Sequence, residues 1–408
     1  MFGFLGTRKT AGADAVRTRL VGLDLTATRA RAVASGDGRT RPLVLDGDAH
    51  ELPLFLNLDH KPPVVGSAAV AVIRRLPHVV CSNFLPLLGL AHEWRVGKRT
   101  MTPESALQAA LEVVRPTVAA ETATAGLALP SYLTPIQVKK VQELTAGARL
   151  PVRGSAVAPL AVVAHRAASV VGPRPGDPAA VLVLDADEYA LSGAVLAVTP
   201  TDVRVVSVAH WPHLSVRLWK ERLIDGMSDR CVRLCRRDPR DSAAAEQVIY
   251  DQLDEALDKI RQGQKATLTV RAEHWFQDLV HQPDEMEGYC THLVAAAVAG
   301  IKQLLLDGGL AVPIRAVWLT HTAGRLPGLA ARIYRTTPEH TSVSILPVNA
   351  AAEAAAALVP RWLAGSLPRG HLDSAVPFER SLTPAAPPAV AGIGSTSTSG
   401  QRPALPRK

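Results

Sequence analysis

VGLDLTATRA, residues 21–30, joins an apolar run to an acidic turn. The apolar residues predict a buried strand over 20–25, which delivers Asp24 into a short polar turn. RARAVAS at 29–35 predicts the return strand, and the following GDG predicts a tight turn. The polar turn after Asp24 resembles a ligand-contacting loop, although it lacks the glycine that lets a backbone approach a ligand closely.

Length and charge set the first limits on function. A chain of 408 residues predicts two or three domains or lobes. Lys and Arg number 45 against 37 Asp and Glu, which gives a net charge of +8. The richest basic cluster, RCVRLCRRDPR at 230–240, has no aromatic residue for base stacking, so we interpret it as a solvated helix face and do not expect nucleic-acid binding.

The cysteines and the N-terminus indicate a cytoplasmic protein. Cys231 and Cys235 form one C-x-x-x-C pair, but no second pair and no nearby histidine complete a zinc site, so no zinc is expected. We expect reduced thiols. MFGFLGTRKT is too short an apolar run for a signal peptide, and no stretch is long enough to span a membrane, so no membrane partner is expected.

Strand-like and helical segments alternate along the chain, which predicts an α/β protein. In TPESALQAALEVVR, Thr102 is predicted to cap a helix that opens at Pro103. In YLTPIQVKKVQELTAGARL, Thr134 is predicted to cap a helix that stops at Gly147.

A proline-rich break at 170–180 separates this half from a second apolar strand, VLVLD at 181–185. That strand also ends on an acid, Asp185, so two lobes each open with a buried strand that runs into an aspartate. Further along, the pattern predicts one long helix over 286–309. The segment 383–408 is rich in Pro, Gly, Ser and Thr and is predicted to be a disordered tail.

The order of these segments resembles the nucleotide-binding domain of the seventy-kilodalton heat-shock chaperone family, within the actin-like ATPase superfamily, over residues 18–365. VGLDLTATRA is similar to the first phosphate loop, G-I-D-L-G-T-T-x-S, and TPESALQAAL to T-P-E-E-I-S-A. LPSYLTPIQVKKVQEL is similar to V-P-A-Y-F-N-D-x-Q-R-x-A-T. Each match is weak by itself.

Three more segments follow in the same order. VLVLDADEYALS stands where the family has its second phosphate loop, D-L-G-G-G-T-F-D-V-S. HLSVRLWKERL is similar to H-L-G-G-E-D-F-D-x-R-L, and VWLTHTAGRLPGL to the adenosine motif V-L-V-G-G-S-T-R-I-P. Six weak matches in the family's order are together specific.

The resemblance implies a two-lobed actin-like ATPase fold, which is ribonuclease H-like, with a central nucleotide cleft. It divides the chain into an N-terminal extension at 1–17, lobe I at 18–175, lobe II at 176–350 with a helical insert at about 216–300, and a return helix to lobe I at 351–372. No segment resembles the family's peptide-binding domain, so a grip on unfolded peptides is not expected.

The resemblance also implies ATP or ADP with magnesium as the cofactor. Asp24 and Asp185 match magnesium-associated aspartates, and Arg325 matches the residue beside the adenine. The positions that correspond to nucleotide contacts are Asp24, Thr26, Ala27, Thr28, Asp185, Glu255, Lys259, Gly324 and Arg325. The register of Glu255 and Lys259 is fixed only to within a residue, and both are equally interpreted as surface charges.

Most of the family's catalytic features are replaced in this chain. Asp187, Glu188 and Tyr189 occupy the three glycine positions of the second loop, where two acids would repel a polyphosphate. Leu85 stands for the catalytic lysine and Val157 for the cleft glutamate. No catalytic residue is therefore predicted.

These replacements favour a pseudo-ATPase, a heat-shock-like protein that binds nucleotide weakly or not at all and serves as a scaffold for other proteins. One alternative is an active ATP-hydrolysing molecular chaperone, which the retained Asp24, Asp185 and Arg325 would support. The other is an actin-like cytoskeletal or pilus-assembly ATPase.

Overall fold

The computed structural model describes residues 19–170, 177–309 and 312–378. It shows the mixed α/β class that the sequence predicts, with two large sheets at the core. The predicted extension at 1–17 and the predicted disordered tail at 383–408 lie outside the described residues.

The helices and strands of these residues follow in chain order. Up to residue 170 they are β1 (Leu20–Leu25), β2 (Arg29–Gly36), β3 (Arg39–Pro42), β4 (Glu51–Pro53), β5 (Leu56–Asn57), β6 (Val64–Val65), α1 (Ser67–Val70), β7 (Val80–Cys81), β8 (Trp94–Val96), β9 (Arg99–Met101), α2 (Pro103–Glu121), β10 (Ala125–Leu129), α3 (Pro135–Gly147), β11 (Val152–Val157) and α4 (Ala158–Arg166). From residue 177 onward they are β12 (Ala179–Ala186), β13 (Leu191–Val198), β14 (Asp202–Trp211), α5 (Val216–Cys235), α6 (Ala243–Arg261), β15 (Ala266–Ala272), β16 (Trp275–His281), α7 (Pro283–Tyr289), α8 (Thr291–Asp307), β17 (Ile314–Leu319), α9 (His321–Gly324), α10 (Leu329–Thr336), β18 (Ser342–Ile345), α11 (Ala350–Leu363), β19 (His371–Leu372) and β20 (Ala375–Pro377).

Both large sheets are built around a central strand with an antiparallel neighbour on one side and a parallel neighbour on the other. In the first sheet, ordered β19-β11-β10-β1-β2-β3, strand β1 pairs antiparallel with β2 and parallel with β10, and β4 also pairs with β2. In the second sheet, ordered β18-β17-β12-β13-β14-β20, strand β12 pairs antiparallel with β13 and parallel with β17. Asp24 and Asp185 each lie one residue before the end of the central strand.

Helix α11 packs directly on the first sheet because two strand glycines leave room for it. A Cβ atom on Gly22 would overlap the backbone oxygen of Ala352, and one on Gly126 would overlap that of Ala355. The segment 351–372 thus returns to the first sheet, where it supplies α11 and also β19, which pairs with β11.

The predicted helix starts are confirmed. The Thr102 side chain accepts a hydrogen bond of 3.2 Å from the backbone N–H of Ser105, and Thr134 accepts one of 3.4 Å from Gln137. A proline follows each cap and opens the helix, where its missing N–H costs nothing. Helix α3 ends at Gly147, as predicted.

The prediction of one long helix over 286–309 is wrong. The chain forms α7 and α8, with a bend of 69° between them. Cys290 leaves the helical conformation at the junction, and the bend lets Met286 and Cys290 enter the same core as Ala297 of α8. Among the described residues, no single helix is long and apolar enough to cross a membrane, although α7 and α8 pass that test together as a bent pair.

Candidate functional site

The two predicted strand-end acids lie close together. Asp24 and Asp185 line a small cavity of ≈ 30 Å³ between the two sheets. Burial raises the pKa of Asp24 to about 6, because it outweighs the attraction of Arg29 and Arg31. Asp185 accepts a hydrogen bond of 2.7 Å from the hydroxyl of Thr320. Each acid is thus held on the central strand of its own sheet.

The turn after β1 uses its polar groups within the protein. The Thr26 hydroxyl oxygen accepts hydrogen bonds from the backbone N–H groups of Arg29, at 3.2 Å, and Thr28, at 3.4 Å. The N–H of Ala27 donates across the cleft to Oδ2 of Asp187 at 3.0 Å. The three predicted loop residues are therefore engaged by groups of the chain itself.

Asp187 is the group that connects the two turns. Its carboxylate is 3% exposed, and Tyr132 donates its hydroxyl to Oδ2 at 2.6 Å. Oδ1 accepts the backbone N–H groups of Tyr189 and Ala190, at 2.9 and 3.0 Å. Burial raises the pKa of Asp187, while the hydrogen bond from Tyr132 opposes that rise. With the N–H of Ala27, four donors surround one carboxylate and satisfy both of its oxygens.

A second cluster of charges lies between α5, α6 and α9. Nζ of Lys220 is 3.2 Å from Oε1 of Glu188 and 3.1 Å from Oδ2 of Asp254. Arg325 also pairs with Asp254, and its Nη1 is 3.7 Å from Oδ2 of Asp258. Burial disfavours ionisation of Asp254, but the charges of Lys220 and Arg325 outweigh it and lower the pKa to about 2.

The predicted contacts Glu255 and Lys259 are not brought to the cleft. They pair with each other along α6, with 2.6 Å between Nζ and Oε1, and the Glu255 side chain is 72% exposed. The residues that reach the Arg325 cluster are their neighbours Asp254 and Asp258, one position earlier in the helix. The surface interpretation of the predicted pair is therefore the one that the geometry favours.

Gly324 and Arg325 do lie beside the cleft. Gly324 ends the short helix α9 and is covered by Ile345, whose Cγ2 would be 2.7 Å from a Cβ at that position. Arg325 follows and lines the larger cavity described below. His321 begins the same helix, and burial lowers its pKa to about 4, so it is neutral at pH 7.

The larger cavity has a volume of ≈ 210 Å³ and is lined by charged side chains from the first sheet and from the turn and helices that face it. Arg29 and Arg31 enter it from β2, Glu51 from β4, and Lys220 and Arg325 from the opposite side. The positions that match the family's catalytic lysine and glutamate contribute no charge, since Leu85 and Val157 are apolar and buried.

Sequence reasoning missed four residues of this cleft: Arg29, Arg31, Lys220 and Tyr132. The R-A-R spacing at 29–31 was the available signal, because it places both arginines on one face of a strand. Nothing in the local sequence marked Tyr132, whose partner Asp187 lies 55 residues away in the chain.

These contacts do not fit a bound triphosphate. Its oxygens would need the N–H of Ala27, which Asp187 already occupies, and the turns have no glycine to bring other N–H groups closer. Among the described residues, no group of three or more His, Cys, Asp or Glu side chains is arranged to hold a metal ion. No protein-family model matches the chain, and no curated protein matches it significantly.

Proposed function

We propose that this chain is a heat-shock-like protein of the actin-like ATPase superfamily that does not hydrolyse ATP and serves as a scaffold for other proteins. The two-lobed assignment is supported by two large sheets with the same pairing pattern, each carrying an aspartate near the end of its central strand. It is further supported by α11, which follows β18 of the second sheet in the chain and packs on the first sheet. A cytoplasmic location fits the four unpaired cysteines.

The observation that carries the proposal is the contact between Asp187 and Ala27. The Asp187 carboxylate already accepts the backbone N–H that a phosphate would need, so a nucleotide would have to break a buried hydrogen bond between the two turns. The apolar Leu85 and Val157 remove the cation and the acid that hydrolysis requires. A fold that keeps its core while losing these groups is suited to binding partners rather than to catalysis.

Isothermal titration with ATP and with ADP, each with magnesium, tests the proposal. We expect no micromolar binding and no release of inorganic phosphate above the background. Micromolar binding together with phosphate release would sink the proposal and favour the active chaperone. Light scattering with nucleotide addresses the cytoskeletal alternative, because a polymerising protein would scatter more as its concentration rises.

A loop graft gives a sharper test of the same point. Asp187→Gly, Glu188→Gly and Tyr189→Gly together remove the carboxylate from the N–H of Ala27, which keeps only the Tyr132 hydroxyl as acceptor, and let the second turn approach a phosphate. We expect nucleotide affinity to rise without hydrolysis, since Leu85 and Val157 remain. Glu188→Gly alone is the comparison: it removes one acid but leaves the Asp187 carboxylate on the N–H of Ala27, so we expect a smaller rise in affinity.

A further inference from the structure

Arg29 and Arg31 form a pair of buried cations that the proposed function does not use. They are two residues apart on β2 and therefore project from the same face of the strand. Both line the cavity of ≈ 210 Å³, and they are 7% and 6% exposed. Arginine is rarely buried without a partner, so the acceptors around these two side chains need to be identified.

The acceptors within the described residues do not satisfy them. The guanidinium of Arg29 makes no hydrogen bond there, and its Nε is 3.9 Å from Oε2 of Glu51. Arg31 pairs with the same Glu51 carboxylate and donates from Nη1 to the backbone oxygen of Val348 at 3.1 Å, while its Nε has no acceptor. Two guanidinium groups therefore share one carboxylate, whose side chain is 40% exposed. Unmatched buried donors of this kind are costly unless a ligand completes them.

The other charges around the cavity are already committed. Lys220 and Arg325 pair with acids of their own side, and the oxygens of Asp187 accept four donors. Asp24 and Asp185 make no ion pair with Arg29 or Arg31 among the described residues. Apart from Nε of Arg325, which also has no acceptor, the unmatched donors of this cavity belong to the two arginines of β2.

We propose that this cavity binds a small molecule through a phosphate or carboxylate group held by Arg29 and Arg31, with Glu51 as the internal carboxylate that the ligand displaces. Guanidinium groups match both oxyanions through paired N–H donors. The space exceeds the roughly 150 Å³ that admits benzene and is below the roughly 300 Å³ at which drug-sized ligand sites begin. Phe55 and Tyr250 line the same cavity, so a ring attached to the acid group fits it.

The site goes beyond the proposed function because its donors are side chains, although Thr28, Asp187 and Glu188 of the two turns line the same cavity. Its donors are side chains of β2, whereas the Asp187 contact concerns the backbone of the turns. The two proposals fail on different measurements: phosphate release from ATP would overturn the proposed function, whereas the Kd values of small anions for wild type and Glu51→Gln decide this site.

Isothermal titration of the full chain at constant ionic strength tests the site with phenyl phosphate, benzoate and inorganic phosphate, and with benzyl alcohol as the neutral probe. We expect millimolar or tighter binding of the two ring-bearing anions, weaker binding of inorganic phosphate and none of benzyl alcohol. Arg29→Gln and Arg31→Gln should each raise the Kd at least about tenfold, since a charge-assisted contact is lost.

Glu51→Gln is the decisive variant, because it removes the competing carboxylate while both arginines remain. We expect its Kd to fall about tenfold. Glu121→Gln is the matched control: its carboxylate pairs with Arg19 and Arg41 outside the cavity, so the Kd should not change. If Arg29→Gln does not fold, the Kd values of Glu51→Gln and Glu121→Gln still test the site. The site is overturned if the anions bind neither wild type nor Glu51→Gln, or if Glu51→Gln and Glu121→Gln give the same Kd as wild type.

Discussion

The turns that follow β1 and β12 occupy the same place in two similarly built sheets, yet their hydrogen-bonding roles are opposite. The first turn offers a backbone donor, the N–H of Ala27, whereas the second offers an acceptor, the carboxylate of Asp187. Two loops that both offered donors would need an anion between them, but these two satisfy each other. A single acidic residue is therefore enough to join the two turns without a ligand.

The largest change in the free energy of unfolding is expected at the position where α11 packs on the first sheet. Two residues before Asp24 the chain has Gly22, and two residues before Asp185 it has Val183. Gly22→Val would drive a side chain into the backbone of α11, so we expect a loss of more than about 4 kcal/mol or no folded protein. Urea unfolding followed by circular dichroism measures it.

The matched change in the second sheet is Val183→Ala, which removes buried methyl groups and should cost about 2 kcal/mol. Wild-type stability of Gly22→Val would contradict the account of how α11 reaches the first sheet.

The next effect is expected at the contact that joins the turns. Asp187→Ala removes the acceptor of the N–H groups of Tyr189 and Ala190 and leaves the N–H of Ala27 with only the Tyr132 hydroxyl, so the free energy of unfolding should fall by about 3 kcal/mol. Tyr132→Phe removes one donor and should cost about 1 kcal/mol. Equal losses in the two variants, measured by urea unfolding, would argue against Asp187 as the centre of the contact.

A substitution at Asp24 is expected to change the free energy of unfolding less, and to raise it rather than lower it. Its pKa of about 6 in the folded protein lies above the ordinary value of 3.8, so the folded state holds the proton more tightly than the unfolded state. Stability from this group is present at low pH and is lost as the pH rises from about 4 to 6. Asp24→Asn should therefore be more stable than wild type at pH 7, on the order of 2 kcal/mol.

The measurement is urea unfolding of both proteins between pH 4 and 8. The difference in unfolding free energy should grow up to about pH 6 and then level off. Parallel pH profiles of the two proteins would show that Asp24 is not the group that titrates.

The smallest effect is expected at Glu255. It lies on the exposed side of α6 and pairs only with Lys259 within the described residues. Glu255→Gln should leave both the unfolding midpoint and any nucleotide titration unchanged within error, because exposed pairs along a helix contribute little. Asp254→Asn, one position earlier, serves as the contrast, since it removes the acid shared by Lys220 and Arg325 and should destabilise the protein measurably.

Local sequence signals were enough to place the elements that carry the site. Apolar runs that end on an acid located β1 and β12, and threonine followed by proline located the starts of α2 and α3. These signals depend on neighbours within a turn or two of the chain, so they can be seen without the fold.

The contacts that define the cleft could not be predicted from local sequence signals. Arg29 and Arg31 carry charges, which usually indicates a solvent-facing position. Their side of β2 is an interior because residues of α5, α6 and the turn after β12 lie opposite it. Asp187 was recognised as out of place in a phosphate loop, but its partner Ala27 is 160 residues away. The bend between α7 and α8 has no proline or glycine at the junction to announce it.

The Asp187 carboxylate would compete with any free nucleotide for the N–H of Ala27. Because this carboxylate belongs to the same chain, its effective concentration at the N–H of Ala27 is set by the fold. No translational entropy is lost when the two groups meet. Free nucleotides in a cell, at millimolar levels or below, would compete against a group that never diffuses away. We therefore expect the pairing of these two turns to be set when the chain folds and to respond little to the supply of nucleotide.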